Sequence, residues 1–307
     1  MSGPAAAQVG ILGDGRFGRA FANLLADAGH PVRAFDPNGV DDPDRTAPSA
    51  AAVADWSDVL VLAVPVGRIR GVLVDLRSRL RREQLVLDVG SVKCHPIAAM
   101  RDVLADAIPW AASHPLFGPT SLALDERPLR VVLCPNPLHP AAVTRARALY
   151  EGLGCDVLMQ DPEAHDRAMA ESHALTYFIA KALLDAGVLF DPELSPPSAK
   201  GLARTIASVR SDAGHLFTTL HRENPFAAEA RRRFLDALYE ADVALKDAGA
   251  DDAGIEIEPA LAIPNLGERS PELREVRDLI DDLDREIIGL LARRARPARR
   301  ARAAQAG

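Results

Sequence analysis

A glycine-rich turn set between an apolar run and a helical run constrains the fold of this chain more than any other feature. Gln8-Val9-Gly10-Ile11-Leu12 is short and apolar, as a strand covered on both faces should be. Gly13-Asp14-Gly15-Arg16-Phe17-Gly18 follows, and Arg19–Ala26 continues with helical spacing. Each glycine answers a separate need. Gly13 permits the tight turn, Gly15 lets backbone N–H groups approach a pyrophosphate, and Gly18 lets the helix pack closely on the strand. Arg16 and Phe17 open the helix and join the glycines as candidate cofactor-binding residues. A second strand, Val32–Phe35, ends at Asp36, 18 residues beyond Gly18. A carboxylate there accepts hydrogen bonds from the adenosine ribose hydroxyls and disfavours the 2′-phosphate of NADP, so the expected cofactor is NAD. No GxxxxGK[ST] phosphate loop occurs, which argues against a nucleoside triphosphatase.

The alternation continues downstream. A loop rich in Pro, Asp and Ala leads from Asp36 to a buried strand at Asp58–Val64, and a helical pattern follows at Ile69–Leu76. Further strands are expected at Leu85–Val89, near Trp110–Ala112, at Leu129–Leu133 and at Asp156–Met159, with helical patterns between most of them. This predicts an α/β, Rossmann-type doubly wound parallel sheet over residues 1–161. From about Pro162 the strand signal stops, and long Ala/Leu/Arg segments carry apolar residues at i, i+3, i+4, as at Phe234, Leu235 and Leu238. An all-helical domain is expected over residues 162–249, a linker over 250–270, and a final helix with an Arg/Ala tail over 271–307. Ser270, Pro271 and Glu272 suit the cap, first position and first turn of that helix, and Leu273, Val276, Ile280, Leu283, Ile287, Leu290 and Leu291 form its apolar stripe.

Composition bounds the partners. At 307 residues the chain suits two domains, and a net charge of −7 provides no general basic surface for nucleic acid. Cys94, Cys134 and Cys155 show no CxxC spacing, consistent with reduced thiols. Met1–Ala7 lacks the charge and apolar core of a signal peptide, and no apolar run reaches membrane-spanning length, so a cytoplasmic, membrane-free protein is expected.

In a doubly wound sheet, ligands bind beyond the carboxyl ends of the strands. Asp88-Val89-Gly90-Ser91-Val92-Lys93 and Ser113-His114-Pro115-Leu116-Phe117-Gly118-Pro119 occupy such positions. A histidine just outside a strand, with an ordinary pKa of about 6.5, suits a general base. These two segments, with His165-Asp166-Arg167-Ala168-Met169-Ala170, resemble the prephenate dehydrogenase family over about residues 8–247. The resemblance implies NAD-dependent oxidative decarboxylation of prephenate to 4-hydroxyphenylpyruvate in tyrosine-type aromatic biosynthesis. It also implies a homodimer formed through the helical domain. His114 matches the family's catalytic histidine, which accepts a hydrogen bond from the C4 hydroxyl as hydride leaves. Ser91 matches the serine that contacts the same hydroxyl and orients that histidine. Lys93 lies close by as a further substrate-binding candidate. Prephenate carries two carboxylates, which guanidinium groups pair bidentately. Arg204 and Arg210 are both candidates for that role.

One departure bears on the substrate. Many family members read Ser-His-Leu-Pro-His where this chain reads Ser172-His173-Ala174-Leu175-Thr176. His173 remains a substrate-facing candidate, and Thr176 replaces the second histidine. The C4 substituent is therefore open: 4-amino-4-deoxyprephenate or arogenate requires only local changes. The last helix, Val276–Arg294, is similar to the first helix of the all-α chorismate mutases, with Arg277 and Arg294 matching two substrate-binding arginines there. The chain stops before the other two helices of such a site. It can serve as a dimer or docking helix, a remnant, or part of a partner-assisted mutase. The reading of another class is a non-catalytic dinucleotide-binding or mutase-partner protein.

Overall fold

The computed structural model describes residues 6–247, apart from Leu189, Pro192 and Asp212. The expected linker and C-terminal helix lie outside the described residues. Seven strands form one sheet: β1 (Val9–Leu12), β2 (Val32–Phe35), β3 (Val59–Leu62), β4 (Leu85–Asp88), β5 (Trp110–Pro115), β6 (Leu129–Leu133) and β7 (Cys155–Met159). Their spatial order is 2-1-3-4-5-6-7. Helices cover both faces, which explains why β1, β3 and β4 are buried at every position and carry apolar runs rather than an alternating pattern. Val9, Ile11, Val59, Val61, Leu85 and Leu87 face one layer, built by α1 (Arg16–Asp27) and α6 (Pro140–Gly152). Leu12, Leu60, Leu62 and Val86 face the other, built by α2 (Ala50–Trp56), α3 (Ile69–Leu76) and α4 (Cys94–Leu104). Burying a side chain such as Phe21 or Leu25 of α1 contributes about 1.5–3 kcal/mol, so the sheet is fixed chiefly by these two layers.

The structure refines the expected topology in three places. β1 to β5 are mutually parallel, but β6 runs antiparallel to β5, and β7 parallels β6. Only residues 116–128, with the five-residue helix α5 (Pro119–Ala123), join β5 to β6. An antiparallel neighbour needs no crossover helix, and this connection holds none of adequate length. β5 also extends beyond its expected end at Ala112. Ala112 is the last residue paired with β4, whereas Ser113, His114 and Pro115 continue against Leu133, Val132 and Val131 of β6. His114 therefore lies inside a strand, past the carboxyl end of β4, and not in the loop after it. Finally, the segment expected as loop after Asp36 contains α2. Ser49 caps that helix, its Oγ accepting from Ala52 N at 3.1 Å.

Helices follow from Pro162 onward: α7 (Pro162–Met169), α8 (Leu175–Asp185), α9 (Pro197–Ser211), α10 (Ala213–Arg222) and α11 (Ala227–Asp247). Asp161 caps α7 by accepting from Glu163 N and Ala164 N, with Pro162 at the first helical position. A π-helical stretch, Ala170–Ala174, separates α7 from α8. The described residues up to Leu238 form one compact unit. Among the described residues no helix is long and apolar enough to cross a membrane. None of the three cysteines is in a disulfide.

Candidate active site

The glycine turn has the geometry a dinucleotide needs. Gly13 sits at φ +104°, a conformation side chains rarely adopt, and a Cβ there would lie 2.4 Å from Ala63 O. A Cβ on Gly18 would lie 2.0 Å from Gly13 O, so α1 packs against β1 only because that atom is missing. At Gly15 nothing lies within 4 Å of the Cβ position, and the residue is exposed, leaving open space over the helix start. No side chain caps α1 and no acidic residue stands in its first turn. Its amide N–H groups and its positive dipole end thus suit an anionic pyrophosphate. Arg16 opens this helix and is exposed, beside the open space. Phe17 instead turns inward, stacked on Phe21 at 5.6 Å and tilted against Phe117 at 6.3 Å. Through Phe117 the turn meets the segment that follows His114.

Asp36 stands at the end of β2. Its Oδ2 accepts from Asp14 N at 2.9 Å and its Oδ1 from Asn38 N at 2.8 Å, which ties the carboxylate to the glycine turn. A negative charge at that point fits the ribose hydroxyls of NAD and opposes a 2′-phosphate. The nucleotide that these residues fit is NAD.

His114 is only 5% exposed. Burial, then the neighbouring charges of His165, Lys93 and His173, hold its pKa well below the usual histidine value. The ring is therefore a neutral imidazole at physiological pH, able to accept a proton. His114 Nδ1 lies 2.9 Å from His165 Nε2, and His165 Nδ1 lies 2.8 Å from Asp166 Oδ1. Asp166 also accepts from Lys93 N at 2.7 Å and Cys94 N at 2.8 Å, at the start of α4, while its carbonyl accepts from Asn224 Nδ2 at 2.7 Å. Burial works against the Asp166 charge, but hydrogen bonds from His165 and from the Cys94 and Lys93 amides hold its carboxyl below the usual value.

The other expected site residues distribute unevenly. His173 joins His114, their rings nearly parallel at 6.4 Å, and its other face meets Tyr177 at 5.1 Å. It sits in the π-helical stretch, a distortion that often marks functional positions. Thr176 is half-buried in the first turn of α8. Ser91 is half-buried in the turn between β4 and α4. The hydrogen bond at His114 Nδ1 is shared with His165 Nε2, whereas Ser91 is the residue expected to orient that ring. Lys93 also departs from expectation: it is fully buried, its ammonium bonded to the Asp88 carboxylate and the Ser113 carbonyl, so it offers a substrate no charge. Arg204 and Arg210 both belong to α9, and their side chains lie outside the described residues. The sequence did not reveal that His165 and Asp166 stand beside His114, although both belong to a motif it marks out.

A family model for the nucleotide-binding domain of prephenate dehydrogenase matches residues 28–159. Among curated proteins, arogenate dehydrogenase 2 (chloroplastic) of Arabidopsis thaliana is 29% identical over 77% of this chain and 69% of its own length. The 4-amino-4-deoxyprephenate dehydrogenase of Streptomyces pristinaespiralis is 26% identical over 72% of this chain and 78% of its own. A probable arogenate/prephenate dehydrogenase of Methanocaldococcus jannaschii is 23% identical over 63% of this chain, and the match spans only 45% of that protein. The prephenate dehydrogenase of A. aeolicus, solved with hydroxyphenyl propionate and NAD+, shares the fold. Its TM-score is 0.65 at 20% identity, covering 80% of this chain and 93% of that one. With its glycine turn and its sheet, the chain is similar to the prephenate dehydrogenases in fold, and over residues 28–159 it matches their nucleotide-binding domain.

Proposed function

We propose that this protein is an NAD-dependent dehydrogenase that oxidatively decarboxylates prephenate to 4-hydroxyphenylpyruvate. The observation that carries this reading is a buried, neutral His114 past the carboxyl end of β4, reached from the glycine turn through the Phe17–Phe117 contact. Bound NAD supplies the hydride acceptor. As hydride leaves ring carbon C4, the ring carboxylate leaves as CO2 and its bonding electrons complete the aromatic ring. No net proton is released, because the hydroxyl of the substrate becomes the phenol of the product. His114 accepts a hydrogen bond from that hydroxyl while positive charge develops at C4, a role only the neutral ring can fill. Ser91 provides a second contact to the same hydroxyl. Arg204 and Arg210 of α9 remain the candidates for the substrate carboxylates.

His173, and Thr176 one helical turn along, line the side of the site that selects the C4 substituent. Thr176 in place of a second histidine supports a second reading, the same chemistry on 4-amino-4-deoxyprephenate or arogenate. A homodimer is part of the proposal. Leu235 and Leu238 of α11, 49% and 52% exposed, support it as an apolar surface for a second copy.

The test is NADH formation by purified protein with each of the three substrates in turn. Prephenate as the preferred substrate supports the main reading, and preference for an amino-bearing substrate supports the second. Turnover of none overturns both and leaves a non-catalytic dinucleotide-binding protein.

A further inference from the structure

Behind His114 lie two titratable side chains, His165 and Asp166, both with no exposed surface. Together they make a chain of hydrogen bonds from α7 through His165 to β5. We propose that Asp166 and His165 are positioning residues that fix the tautomer of His114, keeping its Nε2 lone pair for the substrate hydroxyl. The proposal rests on the role given to His114 above.

Amides can only donate, so the two from Lys93 and Cys94 require acceptor oxygens at 166, and an ionised carboxylate provides them. His165 Nδ1 faces the same carboxylate at 2.8 Å and must donate to it. We take His165 to carry a single proton, on Nδ1, so that its lone pair lies on Nε2, which faces His114 Nδ1 at 2.9 Å. His114 Nδ1 must carry the proton of that bond, and its free lone pair is left on Nε2. When the substrate hydroxyl shifts its proton toward Nε2, the imidazolium character that develops is met by His165 and, through it, by the Asp166 charge.

The surroundings fit a fixed assembly. Lys93 is taken up by Asp88 and the Ser113 carbonyl. Asn224 holds the Asp166 carbonyl, and His173 stacks on the far side of His114. The same carboxylate that orients His165 also closes the start of α4, so the relay cannot rotate without unmaking that cap. An orienting carboxylate of this kind in a catalytic triad changes kcat by about 10⁴-fold when neutralised, through the wrong tautomer.

The test combines the imidazole ¹⁵N shifts of His114, in histidine-labelled protein, with steady-state kinetics. Wild type should show a protonated Nδ1 and an unprotonated Nε2. In Asp166→Asn the amide NH2 can donate to His165 Nδ1, reversing the chain. The proton on His114 should then move to Nε2, and kcat should fall by about 10³-fold with KM for NAD within about threefold. Because Asp166 also caps α4, His165 variants provide a second route. His165→Met offers no acceptor and should lower kcat by at least about 10²-fold, whereas His165→Gln, which can present an oxygen to Nδ1–H, should recover part of that loss. A proton on His114 Nε2 in wild type, or an unchanged tautomer in both Asp166→Asn and His165→Met, overturns the proposal. Correct tautomers in a protein that turns over no substrate overturn the dehydrogenase reading and leave this one standing.

Discussion

Lys93→Met should cost about 3–5 kcal/mol of folding stability, the usual consequence of leaving one member of a buried ion pair alone. Lys93 and Asp88 both have fully buried side chains, and the ammonium also serves the Ser113 carbonyl. Methionine nearly matches the volume of the lysine stem, so the cavity contribution is small and the loss is electrostatic. After the substitution, Asp88 keeps its bond from Gly90 N at 2.9 Å but no counter-charge. Against a typical total of about 5–15 kcal/mol, this is a large share. Replacing the partner as well, as Asp88→Asn with Lys93→Met, removes the stranded charge and should return about 2 kcal/mol or more relative to additivity. Urea unfolding at neutral pH, followed by circular dichroism for the wild type, both single variants and the double variant, measures the coupling. Substrate KM in Lys93→Met should stay within about threefold, because the ammonium faces the protein interior. A stability loss below about 1 kcal/mol together with a large rise in KM would refute this account and return Lys93 to the ligand role expected from sequence.

Three further outcomes follow from the geometry. Gly15→Ala should fold with unchanged stability but lose NAD affinity by tenfold or more, whereas Gly18→Ala should lose about 1–3 kcal/mol of stability as well, since its Cβ meets Gly13 O; isothermal titration and thermal melts separate the two. Asp36→Asn should shift the NAD:NADP preference toward NADP by about tenfold, read from the two KM values, because the charge opposing a 2′-phosphate is gone. Stability should fall as the pH drops below about 6.5. His114 stays neutral in the fold through burial, and His221 is pushed down to about 4 by burial and then by Arg231, while the unfolded chain protonates both near 6.5. The unfolded state then binds more protons, so acidification favours it. Urea midpoints taken from neutral pH downward should show this slope, and His221→Phe should reduce it.

The sheet-forming runs and the cofactor turn were legible because each is local: a strand covered on both faces, three glycines with separate steric duties, and a carboxylate at the next strand end. What escaped was non-local or masked. The direction of β6 depends on how a 13-residue connection can return, not on the apolar run Leu129–Leu133, which reads the same either way. Helix α2 hid among prolines and aspartates, although Ser49 before an alanine run was its signal. His114 was found by type and place, but its partner His165 is 51 residues away, and no spacing rule joins them. Lys93 was misjudged because a lysine next to a reaction centre looks the same in sequence whether it faces a ligand or a buried Asp88.

The central claim is that His114 serves hydride transfer coupled to decarboxylation. Its most direct test is to measure NADH and CO2 released from prephenate and NAD+ by wild type and by His114→Asn, alongside NAD binding. Wild type should release equal amounts of the two products, and the variant should show a kcat lower by about 10²–10⁴-fold with its NAD affinity unchanged within about twofold. NADH formed without CO2, or kcat and NAD affinity falling together, would contradict it.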